Sequence, residues 1–363
     1  MYRRYPSTLF FSSIFVGLAG MLIYGADANS SELLQLLSRQ AERLKLKSTE
    51  LQALVKGEIV SRSVPTSHSK EMAGFGAVLV EAEPKDFIGA FRTLAIFKQS
   101  KSLIACGRFA NPPALADLAG LTVKDKELLE LMRARVKDSD IKLSESDINR
   151  IRAIAGNNPG FSSRLIPKLT DEYRSILFEK VKAYSTLGGQ SLGAYVDRDE
   201  PVNTHEALTR MVHFQSTYAK YGERFNTLLA DQPRVGDQQM ESFYYWAVQK
   251  FGQLKPIVSL IHVMIFQEDE RFYIVSKQIY SSHYTEAGLL IAELNPVVDS
   301  QGKVRTLAAY TVRLQVDMFG GPMGFMKKRM AQPKMIETLN EGLQGLRANV
   351  ETLSRISVQV RDK

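Results

Sequence analysis

Hydrophobic and polar positions repeat with a helical period at the start of the chain and with a strand period soon afterwards. Apolar side chains in residues 31–56 fall roughly on one helical stripe, made by Leu33, Leu37, Ala41, Leu44, Leu51 and Leu54. The serine-rich stretch 57–74 predicts a loop or an irregular strand. An apolar run at 77–80 predicts a strand, which a short helix from Asp86 and a further strand near 101–109 are expected to follow.

The middle of the chain, from Thr122 to about Gly252, carries a helical pattern that glycines and a proline interrupt. From Pro256 onwards, short polar turns separate apolar runs at 256–267, 272–284, 288–295 and 304–317. Strands that follow one another with short connections pair as an antiparallel meander. The sequence therefore predicts an α+β protein with a helical block placed between its strands.

A long helix is predicted at the end of the chain. Its apolar side chains recur at three- and four-residue steps: Ile336, Leu339, Leu343, Leu346, Val350 and Leu353. A homodimeric coiled coil has the same spacing, but the repeat is short and follows a sheet, which favours packing on that sheet. Pro333 is expected in the first turn of this helix or at a kink.

The N-terminal segment has the pattern of a signal peptide. Arg3 and Arg4 precede an almost uncharged apolar stretch at 9–25, and Ala26-Asp27-Ala28 supplies the small residues of a cleavage site. Cleavage near Ala28 would release a periplasmic or secreted protein. The alternative is that the apolar stretch is retained as a membrane anchor.

Composition narrows the classes of protein and partner. Cys106 is the only cysteine, so the fold has no internal disulfide and depends on its core, which 44% hydrophobic residues can supply. The formal charge of +8 is spread along the chain, as in a solvated surface, although it also suits transient contact with anionic lipid head groups. No nucleic-acid-binding motif accompanies this charge, so nucleic acid is not expected as a partner.

Two catalytic patterns are present only in part. Gly189–Gly193 matches G-x-S-x-G, but a helix rather than a buried strand precedes it, so the pair Gly188-Gly189 is better explained as a helix C-cap. His205-Glu206 begins a zinc-protease helix motif, yet position 209 is Thr209 instead of the second histidine. We predict no metal and no cofactor. The glycines of 320–324 predict a tight turn into the last helix.

The strand at 272–284 carries many polar side chains. Strict alternation places one set on a single uncharged face: Phe272, Ile274, Ser276, Gln278, Tyr280, Ser282 and Tyr284. Aromatic rings mixed with hydroxyl and amide groups suit the lining of a ligand cavity. The alternative is that these polar groups pack against the helical block.

The candidate ligand-binding residues are Gln278, Tyr280, Ser282, Tyr284, Tyr310, His262 and His283. Alternation places Tyr310 on the inward face of the last strand. His262 lies between Leu260 and Met264 on its own face, a position more typical of a hydrogen-bonded core histidine than of a catalyst. His283 ends its strand beside a turn and is the better candidate for a functional role.

Several phrases resemble a group of exported bacterial proteins with the START-like helix-grip fold. They are GRFANPPALADLAGLT (107–122), DSDIKLS (138–144), FYYWAVQKFG (243–252), SKQIYSSHY (276–284) and FGGPMGFMKKRM (319–330). The resemblance implies a curved antiparallel sheet around a long C-terminal helix, with an apolar ligand held between them. It also implies two cysteines flanking ARVKDSD, and this sequence has neither.

The resulting domain prediction has four parts. They are a signal peptide at 1–28, an N-terminal helix and linker at 29–74, a START-like domain at 75–354 with a helical insertion at about 122–252, and a tail at 355–363.

The leading functional hypothesis is an exported binding or carrier protein for a hydrophobic or amphipathic small molecule such as a lipid. Methionines near the last helix would add an adaptable apolar lining: Met318, Met323, Met326 and Met330. One alternative is an enzyme, hydrolase-like or cyclase-like, that uses His283 or His262 as acid or base and Tyr280 as hydrogen-bond donor. The other is an envelope protein that grips a protein partner through the aromatic cluster 243–246.

Overall fold

The computed structural model describes residues 30–94, 102–156, 164–219, 221–230, 240–251 and 253–361. Its strands are β1 (Val60–Ser63), β2 (Glu71–Val80), β3 (Leu103–Arg108), β4 (Ala194–Tyr195), β5 (Val202–Asn203), β6 (Met240–Gln249), β7 (Ile257–Glu268), β8 (Arg271–Ser281), β9 (Thr285–Val298) and β10 (Val304–Val316). Its α-helices are α1 (Ser30–Leu44), α2 (Ser48–Val55), α3 (Pro84–Arg92), α4 (Asp125–Arg133), α5 (Glu145–Ala155), α6 (Leu165–Leu187), α7 (Thr204–Ala219), α8 (Glu223–Ala230) and α9 (Gly324–Arg361).

A large antiparallel sheet organises the molecule and confirms the α+β class. Within the described residues it has eight strands in the order β1-β2-β10-β9-β8-β7-β6-β3. The expected meander is present as β7 to β10, and β6, which was predicted to be helical, extends it by pairing with β7. Strands β2 and β3 come from the beginning of the chain and are added at opposite sides of that meander.

One face of the sheet is covered by α9 and α3. The predicted apolar positions of the last helix pack there, including Leu339, Leu343, Leu346 and Val350, all buried. Gly76 in β2 allows close approach, because a Cβ built there would lie 2.5 Å from Leu343 Cδ1. The helix is longer than predicted: Pro333 lies in its interior, and residues 355–361 continue it instead of forming a tail.

The opposite face is covered by the helical insertion, α4 to α8, and by α1 with α2. The insertion ends earlier than predicted, since α8 stops at Ala230 and β6 begins at Met240. The aromatic cluster 243–246 therefore lies in a strand. Phe243, Tyr245 and Trp246 are at most 5% exposed, and Tyr244 is half-buried, so the exposed aromatic patch expected of a partner-binding surface is absent from these residues.

The N-terminal boundaries also change. The stripe at 31–56 forms two helices, which separate at Lys45, a residue with φ of 53°. The predicted linker contributes β1 and the first residues of β2, so the sheet begins before residue 75. The proposed signal peptide lies outside the described residues. No described helix is both long and apolar enough to span a membrane.

A β-bulge in β8 changes which face its later residues occupy. Leu260 pairs with Tyr280, while the next residue of β7, Ile261, pairs with Gln278. Two residues of β8 therefore oppose one step of β7, which shifts the alternation by one position. Tyr280 consequently packs in the core under the helical insertion, and the prediction that it shares a face with Gln278 is wrong.

Candidate functional site

A cleft of about 470 Å³ lies between the helical insertion and the sheet, and we call it the insertion cleft. It is bounded by the end of α6, by α7, by α8 and by β8. Its lining residues are Tyr184, Gly189, His205, Leu208, Thr209, Val212, His213, Ser216, Thr217, Asn226, Leu229 and Lys277. This volume is in the range of small-molecule sites. The cleft lies on the face opposite α9, whereas the resemblance implied a cavity beside that helix.

The floor of the insertion cleft is polar because β8 carries a lysine among apolar neighbours. Lys277 follows Val275 on the insertion face of the strand and is only 6% exposed. Its Nζ donates a hydrogen bond to the carbonyl oxygen of Leu229, at 2.6 Å. Leu229 is in the last turn of α8, where helix carbonyls lack intrahelical partners and the helix dipole favours a cation. The helix end thus holds the ammonium group at the cleft.

His262 lies beside Lys277 as its cross-strand partner and belongs to the same polar group. Its Nε2 lies 2.8 Å from Ser242 Oγ, and its Nδ1 lies 3.4 Å from the hydroxyl of Tyr184. The imidazole also stacks on Tyr244, with ring centroids 4.8 Å apart. Burial, together with the charge of Lys277, lowers the pKa of His262 to about 3. His262 is therefore neutral at neutral pH, and the positive charge at the floor belongs to Lys277.

The walls of the cleft combine two kinds of side chain from α7. Leu208 and Val212, four residues apart, are buried toward the sheet. Thr209 follows Leu208 and His213 follows Val212 in the sequence, and both face solvent at the cleft mouth. Leu229 adds an apolar surface from α8. The insertion cleft thus has apolar walls, a polar mouth and a cation on its floor. The described lining residues include no carboxylate that would pair with this cation.

The seven predicted ligand-binding residues do not line the insertion cleft. Gln278 and Tyr310 lie on the face toward α9, where Gln278 donates to Ser259 Oγ at 2.9 Å and Tyr310 is fully buried. Tyr284 packs against the same core, and its hydroxyl accepts from the backbone N–H of Lys255. The hydroxyl of Tyr280 lies 3.1 Å from that of Tyr173 and donates to a backbone carbonyl in the insertion. His262 is not among the described lining residues, but it contacts two that are, Tyr184 and Lys277.

Ser282 and His283 belong to a second polar cluster at the end of the sheet, the end network, with Glu130, Lys255 and Asp140. Ser282 Oγ lies 2.8 Å from His283 Nδ1, and His283 Nε2 lies 3.0 Å from Glu130 Oε2. Lys255 forms ion pairs with Glu130 and with Asp140. Burial works to raise the pKa of Glu130, but hydrogen bonds from His283 and Lys255 outweigh it and lower that pKa. Burial also lowers the pKa of His283 despite Glu130.

The end network has the serine, histidine and carboxylate order of serine hydrolases, but its serine is not accessible to a substrate. A neutral His283 that donates from Nε2 to Glu130 accepts at Nδ1 from the hydroxyl of Ser282. Ser282 Oγ also accepts from the backbone N–H of Val258, at 2.9 Å, and Ser282 is 1% exposed. A nucleophile needs room for its substrate. The described geometry explains these residues as a hydrogen-bonded tie between α4 and the sheet.

Lys277 is the residue that sequence reasoning missed. Alternation places Lys277 correctly on the face away from Ser276 and Gln278, but the predicted ligand lining consists of the uncharged face. The signal was available: a lysine between Val275 and Ile279 on a strand face directed at the helical block cannot remain uncompensated in an apolar core. Such a position predicts a backbone partner or a polar cavity.

The partial motifs have structural explanations. Gly188, with φ of 82°, ends α6, and Ser191 donates to the carbonyl of Gly188, so this segment is a helix C-cap as predicted. His205 lies at the cleft mouth against Gly189. Throughout the described residues, no cluster of three or more His, Cys, Asp or Glu side chains is placed to hold a metal ion.

Comparisons of the chain with protein-family models, with curated proteins and with solved structures find no match.

Proposed function

We propose that this chain is an exported binding or carrier protein for a small amphipathic molecule, held in the insertion cleft with an anionic group directed at Lys277. The observation that carries the proposal is a buried ammonium group on the floor of a cleft of about 470 Å³. A charge-assisted hydrogen bond to a carboxylate, phosphate or sulfonate is stronger than a neutral one. Leu208, Val212 and Leu229 would contact the apolar part of the ligand.

The position of the site differs from the one that the resemblance implied. Between α9 and the sheet, buried side chains such as Leu339, Leu343 and Tyr310 pack together. On the insertion side, the cleft opens to solvent beside Thr209 and His213. The insertion cleft therefore replaces the space beside the last helix as the proposed binding site.

We propose further that the fold is of the START-like helix-grip type with a helical insertion. The support is the order of elements: a long strand (β2), a short helix (α3), further strands, a meander (β6 to β10) and a long helix (α9) that packs on the sheet. The insertion, α4 to α8, is placed between β3 and β6, which are neighbours in the sheet.

Acid–base catalysis has weaker support than binding. The Nδ1 of His262 lies 3.4 Å from the hydroxyl of a cleft-lining tyrosine, Tyr184. An effective general acid or base needs a pKa near the working pH, and a pKa of about 3 places His262 far below it. His283 meets a carboxylate in the end network, away from the described lining of the cleft.

The proposal is tested with a pair of probes that differ in one charged group. Anilinonaphthalene sulfonate and phenylnaphthylamine share their ring systems, but only the first carries a sulfonate. We expect Lys277→Met to weaken binding of the sulfonate probe roughly ten- to a hundredfold in a fluorescence titration, because a charge-assisted hydrogen bond contributes about 1.5–3 kcal/mol. The neutral probe is expected to bind both proteins equally.

A second variant blocks the cleft without changing its charge. Thr209 is exposed at the mouth, so Thr209→Trp fills the entrance while leaving the core intact, and we expect it to weaken both probes. Thr186→Trp is the matched control, because Thr186 is exposed on α6 and does not line the cleft. Unchanged binding in both Lys277→Met and Thr209→Trp would rule out the insertion cleft as the site.

A further inference from the structure

The start of α9 and the residue before it expose large apolar side chains. Met323, Phe325, Met326 and Met330 have exposed fractions of 54%, 75%, 54% and 65%. Single exposed apolar residues are ordinary on a protein surface, whereas a contiguous group indicates an interaction site. The prediction that Met323, Met326 and Met330 line a cavity is wrong, because all three face outward. They are not part of the proposed ligand site.

The geometry of the helix arranges these side chains into a stripe with cations along both borders. Successive helix residues are turned by about 100°, so Met326 and Met330, four residues apart, lie on one face. Met323 immediately precedes the helix, and its carbonyl accepts from the backbone N–H of Lys327, which keeps it next to the same turn. We call these three methionines the methionine stripe. Lys327 and Lys334, seven residues apart, follow one border. Phe325 and Arg329, four residues apart, follow the other.

The stripe is held away from the core by the turn that precedes it. Gly324 begins α9 and is packed so tightly on the preceding turn that a Cβ there would lie 1.9 Å from the carbonyl oxygen of Phe319. The buried side of the helix starts further along, with Ala331 and Met335. The first turn is therefore packed through its backbone at Gly324, while Phe325, Met326 and Met330 remain in solvent.

We propose that the first two turns of α9 dock on an anionic lipid surface, with the methionine stripe and Phe325 inserted between the head groups. An interfacial helix places an apolar strip at the boundary between acyl chains and head groups, with Lys and Arg at its edges. The long side chains of Lys327 and Arg329 reach back to lipid phosphates along the borders. Lys334 is already paired with Glu337, at 2.7 Å, and marks the end of the docking segment. The segment from Met323 to Lys334 contains no Asp or Glu, so its charge is of one sign.

Charge also selects a membrane over a second copy of this chain. Two copies joined through this surface would bring the cations beside the stripe, Lys327 and Arg329, of one copy close to those of the other. Like charges placed together across an interface oppose association. Anionic head groups supply the opposite sign instead. This docking surface is independent of the insertion cleft, which lies on the other face of the sheet.

Vesicle sedimentation with the full chain tests this proposal. Vesicles of phosphatidylcholine alone are compared with vesicles that contain phosphatidylglycerol. We expect binding to the anionic vesicles, weakened about fivefold by Lys327→Gln and by Arg329→Gln individually, because each cation contributes about that factor near an anionic surface. The double change Phe325→Ser with Met326→Ser is expected to weaken binding at least tenfold.

Matched controls separate this surface from general stickiness. Leu187→Ser removes an apolar side chain that is 67% exposed on α6, and Lys182→Gln removes an exposed cation from the same helix. Both are expected to leave vesicle binding unchanged. Circular dichroism verifies that each variant is folded. Equal binding by wild type and by the Phe325 and Met326 double variant would overturn the proposal, including the case in which the apolar stretch at 9–25 does the binding.

Sedimentation velocity tests whether a second copy of this chain, instead of a membrane, covers the methionine stripe. A dimer that forms in the absence of vesicles and is lost in the Phe325 and Met326 double variant would assign the surface to a second copy and overturn the membrane proposal. A monomer in solution that binds anionic vesicles, and loses that binding in the same variant, supports it.

Discussion

The two faces of the sheet are built in different ways. The face toward α9 is closed by apolar packing, with Leu339 and Leu343 against the glycine-bearing strand β2. The face toward the insertion also has a large apolar core, but buried ions and hydrogen bonds cross it. Arg313 contacts Glu71 there with both side chains 0% exposed, and Lys142 contacts Asp317 at 2.5 Å.

This difference shows how an inserted layer can be attached to a sheet and still leave a cleft. Apolar packing stabilises a fold most when it leaves no empty space between side chains. Directional contacts fix the position of a layer at a few points: Arg313 with Gln215 of α7, His283 with Glu130 of α4, and Lys277 with Leu229 of α8. Between those points a cleft persists. We expect changes on the insertion face to act mainly through charge and changes on the α9 face mainly through volume.

The largest effect is expected from the buried ion pair. Arg313→Met leaves the carboxylate of Glu71 without its partner in a fully buried position, and breaking such a pair costs about 3–5 kcal/mol of unfolding free energy. Urea unfolding measures the loss. Lys334→Met is the control, because its pair with Glu337 is more than half exposed on both sides and is expected to contribute less than about 1 kcal/mol. Equal losses of unfolding free energy in Arg313→Met and Lys334→Met would contradict the expected difference between a buried and an exposed ion pair.

Acid is expected to weaken the insertion face through His262. Its pKa is about 3 in the folded chain and near 6.5 when unfolded, so below about pH 6.5 the unfolded state binds a proton that the folded state does not. The stability due to neutral His262 is complete above that pH and is lost as pH falls toward 3, by about 1.4 kcal/mol per pH unit.

Comparison with His262→Gln isolates this contribution. Between about pH 6 and about pH 4, wild type should lose about 2–3 kcal/mol more than His262→Gln in urea unfolding, since the other titrating groups are common to both proteins. Parallel pH profiles would show that His262 is not buried as described.

The α9 face is expected to respond to volume. In Gly76→Ala the new methyl group meets Leu343 at 2.5 Å and Leu339 at 3.3 Å, and overpacking of this kind costs about 1–3 kcal/mol. Gly193→Ala is the control, because nothing lies within 4 Å of a Cβ there. Shortening the neighbour in Gly76→Ala with Leu343→Val should recover part of the loss. If Leu343→Val instead lowers the stability of Gly76→Ala further, the clash between the new methyl group and Leu343 is not the cause of the loss.

The smallest effect is expected where the bulge directs Tyr280 into the insertion. Tyr280→Phe keeps the ring but removes the hydroxyl that contacts Tyr173 and the carbonyl of Lys142, at a cost of about 0.5–1.5 kcal/mol. Thermal unfolding measures this. Tyr280→Phe should leave probe binding in the insertion cleft unchanged, because Tyr280 does not line it. Altered probe binding would show that the bulge belongs to the site.

Much of the fold could be predicted because periodicity is a local signal. The meander, the strand at 77–80, the short helix near Asp86 and the seam of the last helix are all present. The aromatic cluster 243–246 was assigned to the helical block because four consecutive aromatic residues have no decisive period. Pairing with β7 and β3 makes them a strand, and that information lies elsewhere in the chain.

The candidate site was harder to predict, because its position depends on one irregularity and on the insertion. Alternation assigned Tyr280 to the wrong face, since no residue type marks the bulge between Gln278 and Tyr280. The insertion cleft requires α7 and α8 to lie over β8. The partners that fix α7 there, such as Gln215 and Arg313, are 98 positions apart in the chain. Sequence patterns do not report such pairs.

The ion pair between Arg313 and Glu71 also has a consequence for the order in which the chain folds during synthesis. The two residues are 242 positions apart, so β2 leaves the ribosome long before β10 exists to receive it. Strands β6 to β10 are neighbours in both sequence and space and can pair as they emerge. Contacts of great sequence separation form slowly because a long loop must close first. The first long strand to be made is thus expected to be among the last to be incorporated.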